Sequence, residues 1–194
     1  MAGRGFGKTR CGAEWILERV EAGARRIHLV GATAADVRDT MIEGESGLLT
    51  IAPLHLRPEY TPSKRRLRWK NGAVALCFSA EKPRQLRGPQ CDTAWADELA
   101  AWERPETWDQ LLFGLRLKRP SLSPRVCVTT TPRPTALIRK LIAAASTVVT
   151  RGSTYDNAAN LAEEFLTEIL DAYEGTRLGR QELFAEILSD TPGA

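Results

Sequence analysis

The run Ala2-Gly3-Arg4-Gly5-Phe6-Gly7-Lys8-Thr9 leads straight into a stretch with apolar residues at Ala13, Ile16, Leu17 and Val20. That spacing is helical, so a glycine-rich loop opens onto a helix N-terminus. Glycines at alternate positions let backbone N–H groups converge on phosphate oxygens, and the helix points its positive end at them. Lys8 has the reach to β- and γ-phosphates, and the Thr9 hydroxyl suits Mg2+. The run fits the phosphate-loop pattern GxxxxGK[ST] except at its first position, where Ala2 stands in place of glycine.

Apolar periodicity sorts the rest of the chain into alternating elements. Cys11 to Ala22 reads as a helix, Ile27 to Val30 as a short buried strand ending at Gly31, and Ala34 to Glu43 as a helix. Leu48 to Ala52 fits a strand or a helix end equally well. Arg66 to Trp69 and Ala73 to Ser79 flank Lys70-Asn71-Gly72, and an Asn-Gly step between apolar runs predicts a hairpin. Thr93 to Ala96 reads as a further strand, and Pro105 to Arg116 as a helix with Trp108, Leu111, Leu112 and Leu115 on one face. Val126 to Thr131 is a β-branched run stopped by Pro132, and Thr135 to Ala145 is helical again. This alternation predicts an α/β fold, a parallel sheet flanked by helices. After Gly152 the composition changes, with Leu161 to Tyr173 and Gly179 to Leu188 reading as helices joined at Glu174-Gly175-Thr176. The expected organisation is a core over residues 1–150 and a small C-terminal helical subdomain over 151–194.

At 194 residues, 43% hydrophobic and 26% charged, the chain has the makings of a buried core, which excludes the disordered and fibrous classes. Lys plus Arg is 27 against 24 acidic residues, an excess too small to argue nucleic-acid binding by itself, so any basic patch must be local. No apolar run approaches the roughly 20 residues a membrane helix needs. Met1 to Arg10 is rich in Gly and Arg where a signal peptide would be apolar, so a cytoplasmic location without membrane contact is expected. Cys11, Cys77, Cys91 and Cys127 form no CxxC pair and read as buried reduced thiols. Trp15, Trp95, Trp102 and Trp108 lie among apolar neighbours and read as core.

A phosphate loop calls for an acidic group at the end of a neighbouring strand, and Thr93-Ala94-Trp95-Ala96-Asp97-Glu98 supplies one. Asp97 can hold Mg2+ through its water shell, and Glu98 can orient or deprotonate an attacking water. Acids also favour helix starts for electrostatic reasons, so the pair gains its weight from the loop. Val128-Thr129-Thr130-Thr131-Pro132 closes a strand with hydroxyls at the carboxyl end of the sheet, where ligands bind in such folds, although β-propensity alone also favours threonine. Arg57, Lys64, Arg65, Arg66, Arg68 and Lys70, interleaved with Tyr60 and Trp69, make a basic hairpin suited either to following phosphates or to guarding a sheet edge.

Taken together these residues resemble the ATPase domain of the large terminase subunit of tailed phages and related gene-transfer particles. The match lies at Gly3 to Arg10, Asp97-Glu98-Leu99, Thr130-Thr131-Pro132, Glu174-Gly175-Thr176-Arg177 and Gln181-Glu182-Leu183, and covers nearly the whole chain. The resemblance implies a P-loop NTPase-type domain that hydrolyses Mg-bound ATP to drive double-stranded DNA into a procapsid. It implies nucleotide binding along Ala2 to Arg10, catalytic roles for Lys8 and Glu98, Mg2+ at Thr9 and Asp97, and coupling of hydrolysis to movement through Thr130 and Thr131. Arg87, ten residues before Asp97, would act on a neighbouring subunit's nucleotide, with Arg84 as second choice. Arg65, Arg66, Arg68 and Lys70 would contact DNA. The implied partners are the portal protein, the small terminase subunit and further copies in a ring, in the host cytoplasm.

Two departures from the family pattern bear on these expectations. Full-length members carry an adenine-contacting segment and a strand ahead of the loop, whereas only Met1 precedes it here. That predicts an unpaired gap in the middle of the sheet and weak ATP binding. Members also carry an RNase H-like nuclease, which is expected to be absent because the chain stops at Pro192-Gly193-Ala194. Other readings left open by the residues are a helicase-like P-loop ATPase and an inactive remnant.

Overall fold

The computed structural model describes residues 1–173 and 175–188. Glu174 of the tail motif and the terminal Pro192-Gly193-Ala194 lie outside the described residues. The chain divides into two compact units, one spanning Thr9–Thr129 and the other formed by Met1–Lys8 with Thr130–Ala194.

The Thr9–Thr129 unit is built on a six-stranded sheet. Helix α1 (Lys8–Glu21) leads into β1 (Arg26–Gly31), then come a π-helical turn (Asp36–Ile42) and the single-turn helix α2 (Leu48–Ile51). Next are β2 (Glu59–Thr61), β3 (Arg66–Arg68), β4 (Val74–Ser79) and β5 (Thr93–Asp97), followed by α3 (Glu106–Gly114) and β6 (Arg125–Thr129). The spatial order is β2-β3-β4-β1-β5-β6. Strands β4, β1, β5 and β6 are parallel, while β2 and β3 are antiparallel to their neighbours. The expected gap in the middle of the sheet is not found, because these strands pair in unbroken series.

Strand β5 is buried at every position, as a parallel strand covered on both faces must be. Its side chains alternate between those faces. One carries Ile27, Leu29, Leu67, Ala75, Cys77 and Trp95, packed with Ala13, Ile16, Leu17 and Val20 of α1. Trp69 joins this core at 2% exposure, so it cannot serve as a stacking platform in the basic hairpin. Trp95 and Trp108 are buried, whereas Trp15 and Trp102 are only partly so. Cys77 and Cys91 are buried, Cys127 is partly buried, and Cys11 is exposed, contrary to the expectation for it. The hairpin turn forms as the Asn-Gly step predicts. Gly72 takes φ +85°, and the Asn71 side-chain carbonyl accepts from Ala73 N–H at 3.0 Å.

His28 lies on the opposite face of the sheet, 1% exposed and edge-on to Phe78 at 4.8 Å. Among the described residues neither of its ring nitrogens has a hydrogen-bond partner. Burial pulls its pKa from 6.5 down to about 4, outweighing the attraction of Asp92. The unfolded chain takes up this proton near pH 6.5 and the folded chain only near pH 4. Stability from the neutral imidazole is therefore complete above pH 6.5 and falls as the pH drops through that window, by about 3 kcal/mol at its lower end. Urea unfolding at pH 7 and pH 5 should record the fall, and His28→Leu should flatten it. Equal pH dependence in both proteins would remove His28 as the source.

The second unit holds α4 (Ala136–Ala143), a 3-10 turn (Thr154–Asn160), α5 (Glu163–Tyr173) and α6 (Arg177–Glu182). Thr135 caps α4 by accepting from Ile138 N–H at 3.2 Å. The last helix differs from the expected span of Gly179 to Leu188. Thr176 caps it by accepting from Gly179 N–H at 3.0 Å, so it starts earlier, and it ends at Glu182 shortly before Ala185 turns left-handed at φ +56°. No helix of the described residues is long and apolar enough to cross a membrane.

Candidate active site

The glycine-rich loop has the backbone that its glycines suggest. Gly5 and Gly7 take φ +75° and +98°, conformations that side chains resist, and α1 begins at Lys8. The loop is strapped from the tail. Gly3 N–H donates to Gly152 O at 3.0 Å, Thr154 Oγ1 to Arg4 O at 2.7 Å, and Asn157 Nδ2 to Gly5 O at 2.7 Å. Arg4 N–H also donates to Glu182 O at 2.7 Å. Gly152 is seated on the Phe6 ring so closely that a Cβ there would lie 2.2 Å from it. Lys8 Nζ turns back over the loop and donates to Gly3 O at 3.2 Å. Ala2 is buried, and its N–H donates to Thr130 O at 3.2 Å.

In the other unit the acidic pair closes β5. Helix α1 lies directly on this strand at Gly12, where a Cβ would come within 2.1–2.4 Å of the Trp95 indole. The helix C-terminus reaches β1 through a short turn, so α1 runs antiparallel to the parallel strands. Three residues back from Gly12 toward the helix start is Thr9, and two residues on from Trp95 is Asp97. Both steps go toward the carboxyl end of the sheet, and each keeps to the same face of its element. Arg10, the next residue, is exposed and pairs with Glu14 at 2.7 Å.

Asp97 is 5% exposed and accepts a short hydrogen bond from the Thr129 hydroxyl through Oδ1. The Trp95 indole N–H donates to that same hydroxyl oxygen at 2.6 Å. The backbone carbonyl of Asp97 is held by Trp102 Nε1 at 2.9 Å. Glu98 sits in the left-handed region at φ +46°, ψ +45°, and its carbonyl accepts from Ala101 N–H at 2.8 Å. For a non-glycine residue that conformation costs about 1–3 kcal/mol, a kind of strain that collects at functional sites. Among the described residues no cluster of three His, Cys, Asp or Glu side chains could hold a metal alone. A single buried carboxylate, Asp97, is a donor set suited instead to a Mg2+ ion that would take its other ligands from elsewhere, water and phosphate oxygens included.

Thr130 is fully buried, and its hydroxyl donates to Thr131 O at 3.0 Å. Thr129, which the threonine run alone does not single out, is in contact with the acid. The one available signal was register, since Thr129 stands opposite Asp97 on the neighbouring strand. Arg87 is exposed on the turn after Pro83–Leu86, beside Gly88 at φ +100°, and Arg84 is exposed as well.

The basic hairpin is split by the sheet. Arg66 and Arg68 of β3 and Arg26 of β1 share one face and line a cavity of about 290 Å³ floored by Val74 and Leu76. Arg65 lies outside the strand at φ +49°, donating to Gln85 Oε1 at 2.7 Å, and Lys70 is in the turn. Arg26 is the member of this patch that the sequence reading missed, since it is brought in only by the pairing of β1 with β4.

A mostly parallel sheet whose first helix grows out of a glycine-rich loop and lies on the strand ending in the acidic pair is the fold of the P-loop nucleoside triphosphatases. The family model described as terminase large subunit, T4likevirus-type, N-terminal, matches residues 1–194, and the chain belongs to that family. Among solved structures, the Thermus phage P74-26 large terminase ATPase domain is 15% identical with a TM-score of 0.70, over 97% of this chain and 87% of that one. The large terminase of another thermophilic bacteriophage is 12% identical with a TM-score of 0.72, over 97% of this chain and 48% of its own. The complex of that second terminase with ATP-gamma-S aligns with a TM-score of 0.68 at 12% identity, over 97% of this chain and 47% of its own. A search of curated proteins found no match. The fold is that of a large terminase ATPase domain.

Proposed function

We propose that the chain is the ATP-hydrolysing motor domain of a large terminase and drives double-stranded DNA into a viral procapsid. The observation that carries this reading is the seat of α1 on β5, where Gly12 against Trp95 directs Thr9 and Asp97 to the same end of the sheet. Family membership supports it, as do the complexes of the second phage terminase with ATP-gamma-S and ADP.

In the proposed reaction the oxygen of a water bonds in line to the γ-phosphorus, the bond to the β-phosphate oxygen breaks, and ADP and phosphate leave. Glu98 orients the water and accepts its proton. Lys8 and the N–H groups of the loop, from Ala2 to Arg10, hold the phosphates and meet the charge that develops on them. Thr9 and Asp97 would hold Mg2+, which neutralises charge on the phosphates and fixes their orientation. Arg87 of a neighbouring copy offsets transition-state charge, and Thr130 and Thr131 pass the change of state onward. Arg66, Arg68 and Arg26, together on one open sheet face, bind the DNA backbone, each phosphate contact steepening the salt dependence by about 0.9 in log–log slope. Portal, small terminase subunit and further copies in a ring complete the proposed assembly.

Lys8→Ala tests the reading. A charge-assisted hydrogen bond is worth about 1.5–3 kcal/mol, so calorimetric titration of ATP should give binding weaker by about 10- to 100-fold, with phosphate release lost. Wild-type affinity in a Lys8→Ala protein of unchanged melting temperature would overturn it. Stimulation of hydrolysis by procapsids distinguishes packaging from helicase action.

A further inference from the structure

We infer that Thr129, oriented by the Trp95 indole, is the positioning residue that fixes the Asp97 carboxylate. The inference rests on the proposed metal-holding role of Asp97. All three side chains are buried, at 0% exposure for Trp95 and 5% for both Thr129 and Asp97.

A threonine hydroxyl has one proton and can turn about its Cβ–Oγ bond, so alone it could accept as readily as donate. Here the Trp95 N–H, which can only donate, occupies the Thr129 oxygen at 2.6 Å. The hydroxyl proton is thereby committed to Asp97 Oδ1. A hydrogen bond donated to a carboxylate favours its charged form and fixes its rotamer, both of which a metal ligand needs.

Trp95 has little freedom of its own. Its indole is pressed against the backbone of α1 at Gly12, where no Cβ fits. Asp97 and Thr129 are Cα partners on adjacent strands, which sets the reach between them. The order of contact is α1, Trp95, Thr129, Asp97. The helix that starts at the phosphate loop therefore bears on the acid's geometry through two side chains, neither of which needs to touch nucleotide.

The test is calorimetric titration of ATP-gamma-S into the full chain, once with Mg2+ and once with EDTA. The quantity read is the ratio of the two affinities, the metal-dependent gain. Thr129→Val, nearly equal in volume, should lower that gain by about 10- to 100-fold while leaving the EDTA affinity within about twofold. Thr129→Ser, which keeps the hydroxyl, should restore most of it. Trp95→Phe should give an intermediate loss, because the hydroxyl remains but is free to turn. Melting curves are recorded for each variant, and should Thr129→Val not fold, the comparison of Trp95→Phe with wild type decides. A gain retained in Thr129→Val, or in Trp95→Phe where that comparison decides, overturns the positioning role alone. Absence of any gain in the wild type overturns the metal role of Asp97, and the positioning role with it.

Discussion

Glu98→Gln is expected to lower steady-state phosphate release by about 10²- to 10⁴-fold, the usual weight of a general base, while nucleotide affinity stays close to wild type. The amide has the size and shape of the carboxylate but cannot accept a proton from water. It should tolerate the left-handed backbone at position 98 no worse than glutamate does, so the variant removes chemistry without adding strain. Phosphate release and ATP binding measured on one preparation separate the two effects. Turnover within about tenfold of wild type would remove Glu98 from the role of base.

Arg87→Ala is expected to have an effect of similar size, but only in the assembled motor. An arginine supplied to a neighbour's phosphates is worth about 10³- to 10⁵-fold in turnover. Its exposed place on the turn after Pro83–Leu86 is suited to reaching another copy. Mixing Arg87→Ala protein with Glu98→Gln protein should therefore restore hydrolysis that neither has alone, since some junctions then pair an intact arginine with an intact base. Failure of assembled mixtures to recover activity would place the arginine's action within its own subunit or nowhere. Repeating the mixture with Arg84→Ala identifies which of the two arginines acts.

What the sequence made legible was local. The loop, α1, β1 and the β3–β4 hairpin are each specified within about a dozen residues by glycine placement, 3.6-residue spacing or an Asn-Gly step. The acidic pair could be placed at a strand end for the same reason. Features made by pairing across the chain were not legible. That Thr129 meets Asp97 follows from a strand register that leaves no trace in the threonine run. Arg65 and Arg66 are equivalent as letters, yet one lies at a left-handed residue outside the strand and the other on the open sheet face beside Arg26. Trp69 reads as a partner of the basic residues, but strand alternation turns it into the core. The turn at Asp36–Ile42 was expected as a helix, and nothing in its apolar spacing distinguishes a π-helix from an α-helix.

The straps between the loop and the tail set the order in which this protein can be made. Thr154 and Asn157 reach Arg4 and Gly5 across 150 and 152 residues of chain. Contacts of such separation form late, because the loop they close must first give up its conformational freedom. During synthesis the glycine-rich segment leaves the ribosome well ahead of residues 152 to 182, which supply the straps that hold it. Its ordering is therefore expected late, and a chain truncated before Gly152 would lack the hydrogen bonds that hold Gly3, Arg4 and Gly5.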